Sequence, residues 1–310
     1  CHYLRDCLGE HGEVVEFGDN DEGKILDLCG EHYNHYEYVL GLLSCQLSEN
    51  YIMVNNEYEN LCWLFTEQDV KRANENRQYR PQGSVCYKEG GNSILRILIG
   101  VDHAALGFGS IAAHGHADAL SFQLYVDGMP IFVDPGTYIY HCDLESRNDF
   151  RRTKNHNTIC IDGKDQSEML GAFLWGRKAK CDLLQYTDNN EHILLSAQHN
   201  GYDGIKVKRT FDFDKENKLM IIDSIEGNCE GYGTLILHPD CRCRLVEPNI
   251  AEVLCGDRVI QISVDENLKF EMASGWFSSS YGNKIETNIL RYLFKIENET
   301  KIIAGIKIYK

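Results

Sequence analysis

Residues 114–158 read HGHADALSFQLYVDGMPIFVDPGTYIYHCDLESRNDFRRTKNHNT, and this stretch decides both the fold and the chemistry of the chain. It brings the histidines His114, His116 and His156 close in sequence to Asp134 and to a group of arginines. Neutral imidazoles with a carboxylate are ligands that zinc and other transition metals prefer. Arginines suit an anionic ligand. The stretch therefore predicts a metal site beside an anion-binding site.

The Asp127-Gly128 pair predicts a hairpin that folds residues 129–134 back on 121–126. In a regular two-residue hairpin, Asp134 lies opposite Ser121 and faces the side of the odd-numbered positions. His116 is even-numbered, so a site shared with Asp134 requires His116 to lie in a loop or behind a bulge. Gly107 and Gly109 before it favour a loop.

The remaining candidate ligands fall at strand ends. Asp134-Pro135-Gly136 ends its strand abruptly, and His156 comes just before a predicted strand at 157–162. His114 and His116 are two residues apart, so in extended backbone both point to one side. These positions predict histidines and Asp134 gathered on neighbouring rims. The alternative is that the histidines are hydrogen-bonded turn residues.

From Arg80 to the end, short alternating or apolar runs are separated by turn signals such as 89–92. Besides the hairpin, we predict strands at 157–162, 178–187, 191–199, 205–213, 217–226, 231–238, 257–264, 267–273, 286–296 and 301–309. About a dozen strands without intervening helices indicate a large antiparallel β-sandwich over residues 81–310.

Residues 1–80 differ, because apolar residues recur at helical spacing over 31–47 and 57–74. We predict an all-α segment that ends near residue 80. Between the apolar residues Phe17 and Leu26 lies an acidic loop, 18–23, with a glycine at each end. It lacks the full register of an EF-hand, and a turn that caps the next helix is the simpler interpretation of this loop.

Composition excludes several classes of partner. The 310 residues carry a net charge of −16, which argues against nucleic acid and anionic membranes. No apolar run approaches the ~20 residues of a membrane span. An acidic substrate is compatible only with a locally basic site, which 147–154 would provide. The 13 scattered cysteines favour reduced thiols and a reducing compartment such as the bacterial cytoplasm, and Cys1 in place of Met suggests a piece of a longer protein.

Taken together, His114-Gly-His116-Ala-Asp118, Asp134-Pro-Gly-Thr-Tyr138, the Arg147/Arg151 pair and His156-Asn-Thr158 resemble the heparinase II/III-like polysaccharide lyases over residues 84–310. The helical part, 1–76, resembles the last helices of that family's α/α toroid. The resemblance implies β-elimination on an acidic, uronic-acid-containing polysaccharide or oligosaccharide, such as a glycosaminoglycan or alginate-like glycan. It implies proteins that are often periplasmic or secreted. Whether the chain forms a homo-oligomer is left open.

The resemblance also implies roles for individual residues. His114 would be catalytic, while His116, Asp134 and His156 would hold a mainly structural zinc ion. Arg147 and Arg151 would bind glycan carboxylate or sulfate, with surface salt bridges as the alternative, and Tyr138 is a further substrate-binding candidate. The family's catalytic tyrosine and its carboxylate-binding Asn and His come from earlier helices, so we expect this chain to carry half an active site.

Two other functions are compatible with these residues. One is a non-catalytic carbohydrate-binding or structural sandwich that keeps the zinc, which would need the metal ligands but not His114. The other is a zinc hydrolase, which needs an open metal position and a general-base carboxylate that Asp118 could supply.

Overall fold

The computed structural model describes residues 2–9, 11–20, 34–48, 51, 59–75, 83–95 and 98–309. The helices are α1 His2–Cys7, α2 His35–Leu47, α3 Glu59–Leu64, α4 Glu67–Glu75 and α5 Leu144–Arg151, with a 3₁₀ turn at Thr153–Asn155. None of these helices combines the length and the apolar character that crossing a membrane would require.

The first four helices bear out the predicted helical segment with one correction. The helix predicted over 31–47 is α2, which begins where the Asn34 side chain accepts from the amides of Tyr36 and Glu37; residues 31–33 lie outside the described residues. The single helix predicted over 57–74 is wrong, because α3 and α4 are separate. Thr66 and Asp69 exchange side-chain to backbone hydrogen bonds in a capping box that starts α4 anew.

The described residues contain nineteen strands. They are β1 Val85–Tyr87, β2 Asn92–Leu95, β3 Leu98–Asp102, β4 Phe122–Val126, β5 Met129–Phe132, β6 Ile159–Ile161, β7 Met169–Gly171, β8 Leu174–Trp175, β9 Cys181–Asp188, β10 Ile193–Tyr202, β11 Ile205–Phe213, β12 Lys218–Glu226, β13 Cys229–Ile236, β14 Arg242–Glu247, β15 Ile250–Cys255, β16 Arg258–Val264, β17 Phe270–Ser280, β18 Asn283–Ile296 and β19 Glu299–Tyr309.

Antiparallel pairing arranges these strands in layers. One sheet has the order β1-β2-β3-β4-β5, a second the order β14-β15-β16-β19-β12-β11-β10-β9, and a third the order β17-β18-β13-β6, beside the small β7-β8 pair. Their facing sides share one apolar core that includes Phe122, Phe132 and Phe211. The predicted mainly β sandwich is confirmed. The predicted boundary near residue 80 falls in 76–82, outside the described residues.

Two features of the β region differ from the sequence prediction. The sequence prediction omits β7, β8, β14 and β15. β7 and β8 have only three and two residues, and β14 lies at a sheet edge, where most of its side chains are exposed and do not alternate. The expectation of no helix between strands is wrong, because α5 interrupts them. Asp143 caps α5 by accepting from the amides of Glu145 and Ser146, and the helix carries Arg147 and Arg151 inward.

A buried ion pair anchors the core to the loops of the candidate site. Arg209 on β11 and Asp223 on β12 are direct cross-strand partners joined by two hydrogen bonds of 2.7 and 2.9 Å. The same guanidinium donates to the carbonyl oxygens of Leu120 and Asn157. The eight-stranded sheet therefore fixes two points that flank His116 and His156.

The buried His199 predicts that stability falls in acid. Burial, helped by the Arg209 charge, lowers the pKa of His199 to about 3. Below the ordinary histidine pKa of about 6.5, the unfolded chain takes up a proton that the folded chain does not, so stability decreases as the pH falls from 6.5 toward 3. We expect His199→Gln to remove about 1.4 kcal/mol per pH unit from that slope between pH 6 and 4. Urea unfolding at several pH values measures it, and an unchanged slope would contradict the assignment.

Candidate functional site

The two histidines of the H-x-H motif lie in a loop between β3 and β4 and not in a strand. Loop placement is what the hairpin geometry requires. The β4-β5 ladder also shifts register between Leu124 and Tyr125, so Phe132 pairs with Leu124 while Pro130 pairs with Tyr125. The prediction that Asp134 lies opposite Ser121 assumes a regular ladder. The bulge interrupts that ladder, so the predicted pairing no longer applies.

Four side chains from separate segments converge on one buried point. They are His116, Asp118, Asp134 and His156, and their potential ligand atoms all lie within 4.8 Å of one another. Nδ1 of His116 is 3.1 Å from Nε2 of His156, and that Nε2 is 3.4 Å from Oδ2 of Asp134. All four residues are at most 9% exposed. The structure therefore brings together the three predicted ligands and adds Asp118.

Hydrogen bonds on the far sides of both rings determine which nitrogens face the cluster. Nδ1 of His156 lies 2.8 Å from the carbonyl oxygen of Arg152, to which only a protonated nitrogen can donate. Nε2 of His116 lies 2.9 Å from a carboxylate oxygen of Asp19 and has the same constraint. In the neutral rings, the two nitrogens that face each other both carry lone pairs. Two converging lone pairs beside carboxylates are an arrangement that could hold a cation.

The electrostatics of the four residues support the same conclusion. Burial raises the pKa of Asp134 and of Asp118 well above the ordinary carboxyl value, with smaller contributions from neighbouring acids. Burial lowers the pKa of His116 and of His156. Each charged carboxylate is thus costly in this environment, and a bound cation would offset that cost.

Hydrogen bonds of the His156-Asn157-Thr158 motif stabilise the segments that carry this cluster. The Asn157 amide nitrogen donates to the carbonyl oxygens of Phe122 and Val133, and its oxygen accepts from the amide of Ile236. The Thr158 hydroxyl donates to the carbonyl of Ala119. These bonds position His156, Asp134 and Asp118 relative to one another.

Asp19, which sequence reasoning missed as a site residue, links the two histidines of the motif. Its fully buried carboxylate contacts Nε2 of His116 at 2.9 Å and Nδ1 of His114 at 3.2 Å. The Arg147 guanidinium donates to both carboxylate oxygens at 2.5 Å. The signal in the sequence is the acidic loop 18–23, for which a turn is the simpler interpretation from sequence alone. Of that loop, residues 21–23 lie outside the described residues.

The surroundings of Asp19 keep it charged. Burial alone would raise the pKa of Asp19, but the hydrogen bonds and charges of His116 and Arg147 outweigh it and hold the pKa well below its usual range. The ionised carboxylate can accept from both histidines and from Arg147 at once. It thereby fixes both imidazole rings.

The segment that carries Asp19 is docked on the five-stranded sheet. The Tyr125 hydroxyl donates to the carbonyl of Val14, and the Glu16 amide donates to the Gln123 side chain. The Asp19 amide donates to the carbonyl of His114 at 3.0 Å. The N-terminal segment thus supplies a site residue that lies nearly one hundred positions before the histidines.

Gly18 permits this contact, which leads to a prediction for Gly18→Ala. Its φ is +71°, and an added Cβ would lie 2.4 Å from the carbonyl oxygen of His114. The left-handed backbone alone costs about 1 kcal/mol for alanine, and the clash with a backbone atom adds to it. We expect a loss of about 2 kcal/mol or more in urea unfolding, with lower turnover. Gly163→Ala is the control: its φ is also positive, at +67°, but no atom lies within 4 Å of the added Cβ. Equal losses in both variants would contradict the contact.

His114 differs from His116 in facing the surface. Its side chain is 49% exposed, whereas that of His116 is fully buried. The rings of Tyr140 and Phe173 contact it at centroid distances of 5.6 and 5.4 Å. Because Asp19 binds Nδ1, Nε2 is the ring nitrogen left for a ligand. A cavity of about 220 Å³ adjoins His114 and His116.

The three predicted substrate-binding residues lie in different environments. Arg147 and Arg151 are fully buried. Arg147 binds Asp19, and Arg151 donates to the Asn148 side chain and to the carbonyls of Gly171 and Ala172. Neither guanidinium is at the surface, and neither has the surface salt bridge that was the alternative. Tyr138 is partly buried, with the Lys284 ammonium 4.7 Å from its ring centroid.

Comparison with known proteins places this geometry in context. The model of the family described as heparinase II/III-like, C-terminal, matches residues 96–304. A heparin-sulfate lyase of Bacteroides stercoris is 28% identical over 123 residues, which are 38% of this chain and 17% of that protein. One of Bacteroides thetaiotaomicron is 26% identical over 125 residues, 39% of this chain and 16% of that protein.

A solved structure shares the whole described fold. The heparan sulfate lyase HepC of Pedobacter heparinus superposes with a TM-score of 0.74 at 15% identity, covering 100% of this chain and 46% of that one. The chain therefore spans about half the length of that relative, and at this identity the likeness shows the fold. Because the family model matches two thirds of the sequence, the chain belongs to the heparinase II/III-like C-terminal family.

Proposed function

We propose that this chain is the β-sandwich part of a polysaccharide lyase that cleaves uronic-acid-containing glycans by β-elimination. One observation carries the proposal: a single buried carboxylate, Asp19, joins a half-exposed histidine, His114, to a buried cluster of metal-ligand type. An exposed, oriented imidazole beside a cavity is suited to proton transfer or to contact with a substrate carboxylate. The curated relatives named heparin-sulfate lyases give the reaction class its support.

In this reaction the C5 proton of the uronic acid passes to a base, and the bond between C4 and the leaving oxygen breaks. The C4–C5 double bond forms, and the leaving oxygen takes up a proton. Nε2 of His114 would act as the base or contact the substrate carboxylate, because Asp19 occupies Nδ1. Donors placed near that carboxylate lower the free energy of the carbanion-like transition state. Tyr138 remains a proposed substrate contact.

We propose that Arg147 and Arg151 position other residues of the site and do not contact the glycan directly. Arg147 neutralises Asp19 and thereby orients His114. Arg151 ties α5 to the carbonyls of 171 and 172, next to Phe173. Direct contact with a glycan would require either guanidinium to exchange these partners. Within 147–154, the charges of these two arginines are therefore directed at partners inside the protein and not at the surface.

We propose zinc as the cation of the cluster, held by His116, Asp134 and His156 with Asp118 as a fourth ligand. Two nitrogens bound to one tetrahedral zinc at about 2.0 Å lie roughly 3.3 Å apart, close to the observed 3.1 Å. Four protein ligands leave no open position for a reactive water, which disfavours the zinc hydrolase. When bound, the ion would supply rigidity to the loop that carries His114.

Digestion of uronic-acid polymers tests the function. The protein in its full natural length is expected to produce unsaturated uronate ends, seen as rising ultraviolet absorbance, on heparan sulfate, alginate or hyaluronan. Mass spectrometry of the products checks for the loss-of-water signature of elimination. If none of these polymers or bacterial capsular glycans gives a product, the lyase proposal fails. The non-catalytic sandwich would then be the remaining function.

A further inference from the structure

The tip of the β17-β18 hairpin forms one wall of the candidate site. Tyr281 and Gly282 make its two-residue turn, between the paired residues Ser280 and Asn283. The Tyr281 hydroxyl accepts from the Tyr140 amide at 3.1 Å, and the Gly282 amide donates to the carbonyl of Tyr138 at 2.7 Å. The hairpin tip is therefore bonded to the segment that follows the ligand Asp134.

Aromatic rings run continuously from His114 to this tip. The centroid of Tyr140 lies 5.6 Å from that of His114 and 5.5 Å from that of Tyr281. Tyr281 is 38% exposed and Trp276, on β17, is 45% exposed. Large rings at the surface beside a site commonly supply stacking area for a ligand. The row consists of the rings of His114, Tyr140 and Tyr281.

Lys284 places a positive charge between the rings of Trp276 and Tyr138. Its ammonium lies 4.6 Å from the Trp276 ring centroid and 4.7 Å from that of Tyr138. Within the described ranges, the ion pairs found do not include Lys284. Asp143 lies within electrostatic range of it, but that carboxylate accepts from Ser146 and Glu145 at the start of α5. Two ring faces hold the cation without neutralising it, so its charge stays available to an anion.

We propose that Trp276, Tyr281 and Lys284 form a binding subsite for an anionic sugar unit, one carrying a carboxylate or a sulfate, away from the cleaved linkage. This inference rests on the proposed function, because it extends the glycan from His114 along the aromatic row. Sugar rings present apolar C–H faces that stack on Trp and Tyr. Lys284 then selects acidic over neutral units, in a chain whose net charge of −16 would otherwise repel them.

Equilibrium binding of defined oligosaccharides tests the subsite without requiring turnover. The full-length protein, with His114→Ala as the common background so that the ligands are not cleaved, is titrated calorimetrically with a heparan sulfate octasaccharide, an alginate octasaccharide and a neutral cello-oligosaccharide. We expect Trp276→Ala and Lys284→Ala each to weaken binding of an acidic octasaccharide by about tenfold. Lys284→Arg should retain most of the affinity. Lys295→Ala is the matched control, because Lys295 lies on the same strand roughly 36 Å away at the other end.

The outcomes separate this inference from the proposed function. If Lys284→Ala weakens binding of both acidic ligands, Lys284 contacts a carboxylate. If it weakens binding of the sulfated ligand alone, Lys284 contacts a sulfate. Binding that depends on Lys284 in a protein without turnover would support the subsite while the lyase proposal failed. Equal affinity in the His114→Ala parent and in its Trp276→Ala and Lys284→Ala derivatives would overturn the subsite even if the wild-type lyase is active. Tighter binding of the neutral oligosaccharide than of both acidic ones would also overturn it.

Discussion

Asp19→Ala is expected to destabilise the fold and to abolish turnover together. The Asp19 carboxylate and the Arg147 guanidinium are both fully buried and joined by two hydrogen bonds of 2.5 Å. Removing one partner leaves an uncompensated buried charge, which typically costs about 3–5 kcal/mol. Both histidines also lose the acceptor that fixes their rings. Urea unfolding and turnover measure the two effects.

A second variant separates the ion pair from general damage. Asp19→Leu with Arg147→Met removes both charges, so we expect it to be more stable than Asp19→Ala alone, although turnover stays absent. Asp203→Ala, at an exposed turn, should change stability by no more than about 0.5 kcal/mol. If Asp19→Ala is as stable as the Asp203 control, the pair does not form as described.

His116→Ala is expected to prevent binding of the proposed zinc ion and to lower the unfolding free energy by at least about 3 kcal/mol. The variant loses one lone pair of the cluster and leaves Asp118, Asp134 and Asp19 buried with one contact fewer. A strong chelator should reproduce the loss of stability in the wild type and have little effect on the variant. Metal analysis and thermal unfolding in matched buffers provide the measurements.

Two outcomes of these measurements would contradict the prediction. Wild type that carries no zinc after purification and zinc addition would refute the metal assignment. So would His116→Ala with unchanged stability. His192→Ala serves as a surface control, because the His192 side chain is 48% exposed and its Nδ1 lies 2.8 Å from Oδ1 of Asp212, outside the cluster. It should leave metal content unchanged.

Much of this architecture could be predicted because it is local in sequence. The Asp127-Gly128 turn, the alternation on strands such as β11 and the existence of the helix α2 each depend on residues within one element, although α2 buries Gly41, Ser44 and Cys45 with Leu40 and leaves Leu47 exposed. The convergence of His116, Asp134 and His156 was also predicted, because turn and strand-end signals place all three on rims. The family's motifs supplied the grouping that geometry alone left open.

The rest depends on contacts that sequence spacing does not encode. Asp19 reaches His116 across 97 positions, through the docking of the N-terminal segment on β4. From sequence, Arg147 and Arg151 are expected at the surface. In the structure, α5 directs Arg147 toward Asp19 and Arg151 toward the carbonyl oxygens of 171–172. Asp118, for which the sequence suggests only a general-base role, lies within the cluster of potential ligand atoms because the loop before β4 brings it close to Asp134.

The two histidines of the H-x-H motif are proposed to have different roles, with His114 facing the substrate and His116 holding the metal. Turnover and metal content of His114→Ala, measured on the same full-length preparation, test this most directly. We expect metal content and stability to match the wild type while turnover on a uronic-acid polymer falls at least a hundredfold, roughly the contribution of a general acid–base group. Loss of metal together with turnover, or full turnover without His114, would contradict the division.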